Sequence, residues 1–129
     1  MPRIVSVSRL LSLAALAALA ACGGDKGSGP VNPGQMSAVL VSPNGAEGAV
    51  LLEMTGGGVR GVTVTGGTAF VQEGSPARAL LVLDQPGEIR FSVALDDLDR
   101  VPTFTVAEVS APDDGVRASL AGYRVEVAP

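Results

Sequence analysis

Glu88-Ile89-Arg90-Phe91-Ser92-Val93-Ala94-Leu95 is the stretch that decides the fold. Ile89, Phe91, Val93 and Leu95 fall on one side of an extended chain, and Glu88, Arg90 and Ser92 fall on the other. That period of two is the signature of a strand with one face in a core. On this reading Phe91 points inward and Arg90 outward. Tyr123-Arg124-Val125-Glu126-Val127 repeats the pattern, with Tyr123, Val125 and Val127 expected inward and Arg124 and Glu126 outward. Ala79-Leu80-Leu81-Val82-Leu83 is apolar at every position. It suits a central strand covered on both faces, with a short buried helix as the alternative.

Working outward, the same kind of short run recurs along the chain. Strands are expected at 37–41, 49–54, 61–65, 68–72, 77–83, 88–95, 103–109 and 123–127. Glycine and proline punctuate them. Gly66-Gly67 between two β-branched runs predicts a two-residue hairpin, because both positions tolerate positive φ. Pro43-Asn44-Gly45 and Gln85-Pro86-Gly87-Glu88 read as turns. The second has its proline and glycine placed for type II, a turn that splays its strands and so suits a passage between sheets. Gly56-Gly57-Gly58 would break any helix. Eight short runs at this spacing predict an all-β fold, a single antiparallel β-sandwich. The expected domain spans 36–129 and contains 15 Val, nine Leu, one Ile and four aromatic residues, Phe70, Phe91, Phe104 and Tyr123. At that size, without cross-links, its apolar core must hold it alone.

The N-terminal 35 residues differ in kind. Arg3 and Arg9 precede an apolar run from Leu10 to Ala21 interrupted only by Ser12, which is the build of a secretory signal. Twelve residues fall short of the roughly 20 that span a bilayer as a helix. The run ends in Leu19-Ala20-Ala21-Cys22, and Cys22 is the sole cysteine. This tetrapeptide resembles the lipobox of bacterial lipoproteins at all four positions. The resemblance implies cleavage between Ala21 and Cys22, a diacylglyceryl group on the Cys22 thiol, and a further acyl chain of the palmitate kind on the new N-terminus. With its thiol so used, the chain has none left for a disulfide. Gly23 to Gln35 has five glycines and two prolines in thirteen residues and reads as a flexible tether, so 22–35 is the expected linker. Such a chain spans roughly 20 Å on average and up to about 45 Å when stretched. An aspartate directly after the lipidated cysteine tends to retain Gram-negative lipoproteins in the inner membrane. Gly23 stands there instead, so the expected location is the cell envelope, with the outer membrane favoured where there is one.

Composition excludes several functions. Beyond Ala21 the chain has seven basic and 13 acidic side chains, a formal charge of −6. Nucleic acid and anionic lipid surfaces both require the opposite balance. Histidine and tryptophan are absent, and the lone lysine is Lys26 in the tether. No Ser-His-Asp or Cys-His arrangement can be built, nor a zinc site of imidazoles and thiolates. No phosphate-binding glycine loop stands between a strand and a helix. Paired-carboxylate glycoside hydrolysis would need a cleft and aromatic platforms that this composition does not favour. The expectation is no enzyme, no cofactor and no metal.

Asp96, Asp97 and Asp99, with Asp113 and Asp114 further on, are the one cluster with the chemistry of a calcium site. The offsets of an EF-hand are missing. In continued strand geometry Asp97 and Asp99 would face away from Asp96, so a solvated loop is expected. Arg60, Arg78, Arg90, Arg117 and Arg124 read as scattered outward strand positions that discourage edge-to-edge aggregation. Phe91 and Tyr123 read as core, and Phe70 as a candidate for exposure at a sheet edge.

Ser42-Pro43-Asn44-Gly45, Gly48-Ala49-Val50-Leu51 and Gly122-Tyr123-Arg124-Val125-Glu126-Val127 are similar to segments of short bacterial lipoproteins, whose sandwich is loosely cohesin-like. The likeness rests on strand and turn pattern and implies no binding residue. Two functions fit these observations. One is a non-catalytic binding module, held to the membrane by its lipid and facing an envelope protein or a polysaccharide. The other is a structural or assembly accessory of the envelope without a small ligand.

Overall fold

A computed structural model describes residues 31–128. They form eight strands: β1 (Gly34–Val41), β2 (Glu47–Thr55), β3 (Val59–Val64), β4 (Gly67–Gln72), β5 (Ala77–Gly87), β6 (Arg90–Leu95), β7 (Thr103–Ser110) and β8 (Arg124–Val127). Two antiparallel four-stranded sheets pack face to face, ordered β3-β6-β1-β8 and β4-β5-β2-β7. The fold is the β-sandwich that the alternating runs predict. β1 begins at Gly34, so Gly34 and Gln35 lie inside the stretch whose composition reads as linker. They pair there with Leu95 and Ala94 of β6.

β6 shows why the sandwich forms. Ile89, Phe91, Val93 and Leu95 are all buried, and Arg90 stands in solvent beside Glu88. Met36, Ala38 and Leu40 of β1 join them from the first sheet, and Val50, Leu52 and Met54 of β2 meet them from the second. Phe104 of β7 sets its ring edge-on to Phe91, with centroids 6.1 Å apart at 70°. Such pairs add about 0.5–1.5 kcal/mol beyond their buried area.

Connections cross between the sheets at every step except β4 to β5, which turns through a cis Ser75-Pro76 peptide. The type II turn expected at Gln85-Pro86-Gly87-Glu88 does not form. Gln85, Pro86 and Gly87 are the end of β5, and Gly87 pairs with Glu47 and lacks the positive φ that type II requires. The chain passes between the sheets at Glu88 and Ile89. Gly66-Gly67 does not close a hairpin. β3 pairs with β6 and β4 pairs with β5, so this turn also passes between sheets. Gly66 alone takes a positive φ, of 74°. Gly67 is needed for a different reason: a Cβ there would collide with the Val82 carbonyl oxygen of the adjoining strand.

Two side-chain expectations need correction. β5 is central and apolar on both faces, but only its inner face is covered. Ala77, Ala79 and Leu81 are buried, whereas Leu80 and Val82 are exposed. Val127, expected inward, is 41% exposed at the end of the edge strand β8.

Candidate functional site

The outer faces of the two sheets differ in chemistry. Across the first sheet, Thr63, Ser92 and Ser37 stand in one row, and Arg90, Val39 and Glu126 in the next. That face is polar, as a solvated sheet normally is. Across the second sheet, Phe70, Leu80, Leu51 and Glu108 stand in register from β4 to β7. The neighbouring row is Thr68, Val82, Ala49 and Ser110. Phe70 is 58% exposed, with Leu80 and Val82 exposed beside it. A shallow groove of about 220 Å³ runs between Leu80, Leu51, Ala49 and Glu108. Below it, Arg78 and Glu53 close the stripe with a 3.1 Å ion pair. An apolar stripe rimmed by polar side chains is the form that interaction surfaces take on small soluble domains. Phe70 at the open edge was legible in the sequence. Leu80 and Val82 were visible as apolar, but nothing local says which of their faces is left open.

A second feature lies at one end of the sandwich. Glu47 opens β2 and is buried, the one charged residue in the core among the described residues. Its Oε1 accepts from Arg117 Nε at 3.0 Å and from a terminal Arg117 nitrogen at 2.9 Å. Its Oε2 accepts from Ser42 Oγ at 2.6 Å and from the Tyr123 hydroxyl. Asn44 Nδ2 donates to that same hydroxyl at 2.8 Å. Burial by itself would raise the Glu47 pKa. The hydrogen bonds from Ser42, Tyr123 and Arg117, together with the Arg117 charge, outweigh it and hold the carboxyl below its usual value. Glu47 in turn raises the Arg117 pKa.

This clasp ties the turn after β1, the start of β2 and the long segment between β7 and β8 into one unit. Every lone pair of the carboxylate that faces the protein already has a donor, so its chemistry is structural. Arg117 therefore departs from the expected outward strand position, and Tyr123 adds a polar contact to its place against the core. The adjoining cavity, about 430 Å³, opens between the β1–β2 turn and Gly87-Glu88-Ile89.

The aspartates are separated. Asp96 pairs with Arg60 at 3.2 Å, while Asp97 Oδ1 accepts the Asp99 backbone N–H at 3.0 Å. Asp113 Oδ1 likewise accepts from the Gly115 N–H at 3.0 Å. Among the described residues no three His, Cys, Asp or Glu side chains are grouped to hold a metal ion. Ala21 and Cys22, the expected cleavage and lipidation positions, lie outside the described residues. No family model, curated protein or solved structure matches the chain.

Proposed function

We propose that this chain is a membrane-anchored envelope lipoprotein whose sandwich is a non-catalytic interaction module, binding an envelope protein through the outer face of the β4-β5-β2-β7 sheet. The carrying observation is the asymmetry between the two outer faces. One is mostly polar, with Val39 and Val41 set among Ser37, Ser92, Arg90 and Glu126, and the other presents Phe70, Leu80, Leu51 and Val82 as a stripe. A protein partner suits that stripe better than a polysaccharide, since Phe70 is its one aromatic ring and sugar platforms are built from several. The lipobox supports the location, because an acyl anchor keeps a small domain among membrane-bound partners.

A photoreactive amino acid at Leu80, compared with one at Thr63 on the polar face, tests the assignment in intact envelopes. The expected result is a discrete adduct from position 80 and none from position 63. Equal labelling at both positions, or none at either, refutes the assignment.

A further inference from the structure

We propose that the chain forms a two-fold symmetric dimer by pairing β4 with β4 of a second copy, with Phe70 facing Phe70 across the axis. The inference shares Phe70 with the partner-binding stripe but is carried by the open edge of β4, so it does not depend on a partner covering Leu80 and Leu51.

Each sandwich has four edge strands, β3, β8, β4 and β7. Natural sheets guard such edges with charges, prolines, bulges or covering segments. β3 has Arg60, and β8 has Arg124 and Glu126. β7 has Glu108, a bulge opposite Leu51–Leu52, and a bridge from Ser110 to Val116 that covers its end. β4 reads Gly67-Thr68-Ala69-Phe70-Val71-Gln72, with neither charge nor proline. Among the described residues it pairs on one side only, with β5. A charged partner would find no counter-charge along this edge. A second copy would find an identical neutral, apolar strand, despite the acidic balance of the whole chain.

The phase of the ladder fixes the geometry. Asp84 N–H donates to the Gly66 carbonyl at 2.9 Å, so that opposed pair is a hydrogen-bonded one. Such pairs alternate along antiparallel strands. Thr68, Phe70 and Gln72 therefore spend their backbone groups on β5, and Ala69 and Val71 aim theirs at the open edge. An isologous antiparallel pair can use them reciprocally, with Ala69 opposite Val71 of the second copy. This register centres the axis on Phe70, a non-hydrogen-bonded position where opposed Cα atoms come within about 4.5 Å and side chains are closest. Moving the axis to Ala69 would instead set each Phe70 against Thr68 and separate the rings. In the Phe70-centred dimer Val71, 37% exposed although it points to the inner side, gains cover. The two apolar stripes then join end to end.

Disulfide trapping of the full chain in bacterial membranes tests the register, with wild type as the control for Cys22. Phe70→Cys puts two thiols across the axis at a Cα separation inside the 4.4–6.8 Å range of disulfides. Thr68→Cys puts them about 14 Å apart along the strands. Under mild oxidation, Phe70→Cys should give a band at twice the chain mass, at least tenfold above wild type and Thr68→Cys. Adding Val71→Pro, which removes an edge donor without touching the β5 ladder, should abolish that band. No dimer band from Phe70→Cys, equal bands from both cysteine variants, or a disulfide to a different protein would each overturn the proposal. Phe70 is exposed, so its replacement leaves the core intact.

Discussion

Glu47 shows how a single residue can organise one end of a sandwich. A carboxylate out of water is costly unless paired and hydrogen-bonded. Here a guanidinium and two hydroxyls converge on it. Tyr123→Phe removes one donor and keeps the ring against the core, so a loss of about 1–3 kcal/mol is expected in chemical denaturation. An unchanged midpoint would show that the hydroxyl bond contributes nothing. The charge adds a pH dependence. Glu47 is held below its reference value of 4.5, so its contribution is complete above about pH 4.5 and fades as pH falls through the lower folded value. Glu47→Gln should therefore be less stable than wild type at neutral pH, and the difference in melting temperature should shrink below pH 4.5. A gap that stays constant down to pH 2 would refute the linkage. None of this was legible in the sequence, because Arg117 and Tyr123 stand 70 and 76 positions from Glu47. Tyr123 declared its inward side through alternation, but a lone glutamate beside a turn gives no local signal.

At the scale of elements, period-two patterning specified β6 well because its register leaves no choice: a one-residue slip would put Arg90 in the core. Phe91→Ala should cost about 3–5 kcal/mol, while Arg90→Ala should stay within roughly 0.5 kcal/mol. Similar melting curves for the two variants would contradict the observed register. Turn chemistry was less informative about pairing. Gly66-Gly67 correctly marked a reversal, but local preference cannot say which strand lies beside each arm. That choice is made by Val62 and Val64 of β3 against Val93 and Phe91 of β6. Gly57 is a position where the conformation itself forbids a side chain. Its φ is +74°, and a Cβ would stand 2.8 Å from the Arg100 carbonyl oxygen. Gly57→Ala should lower stability by more than the roughly 1 kcal/mol typical of a left-handed position alone. A neutral result would mean that the 56–58 turn relaxes freely.

At the scale of the whole molecule, a topology in which almost every connection crosses the sandwich stands beside the anchor proposed at Cys22, which lies outside the described residues. Because paired strands are mostly distant in sequence, the sandwich should fold slowly for its length. Under the proposed lipoprotein reading, charge and lipid together decide how the chain would be held in the envelope. A formal charge of −6 beyond Ala21 is repelled by anionic headgroups, so surface electrostatics oppose attachment. Acyl chains contribute about 0.8 kcal/mol per buried methylene, and two or more hold a protein stably. Salt screens the first effect and leaves the second intact. Washing membranes with molar salt should accordingly release none of the wild-type protein. Its mature N-terminus should weigh as an acylated Cys22. Cys22→Ala should lose that added mass and retain the leader, since the cleavage implied by the lipobox depends on the modified thiol. Release of the wild type by salt, or an intact Met1 terminus on the membrane-bound protein, would show that the tetrapeptide Leu19-Ala20-Ala21-Cys22 is not used as an anchor.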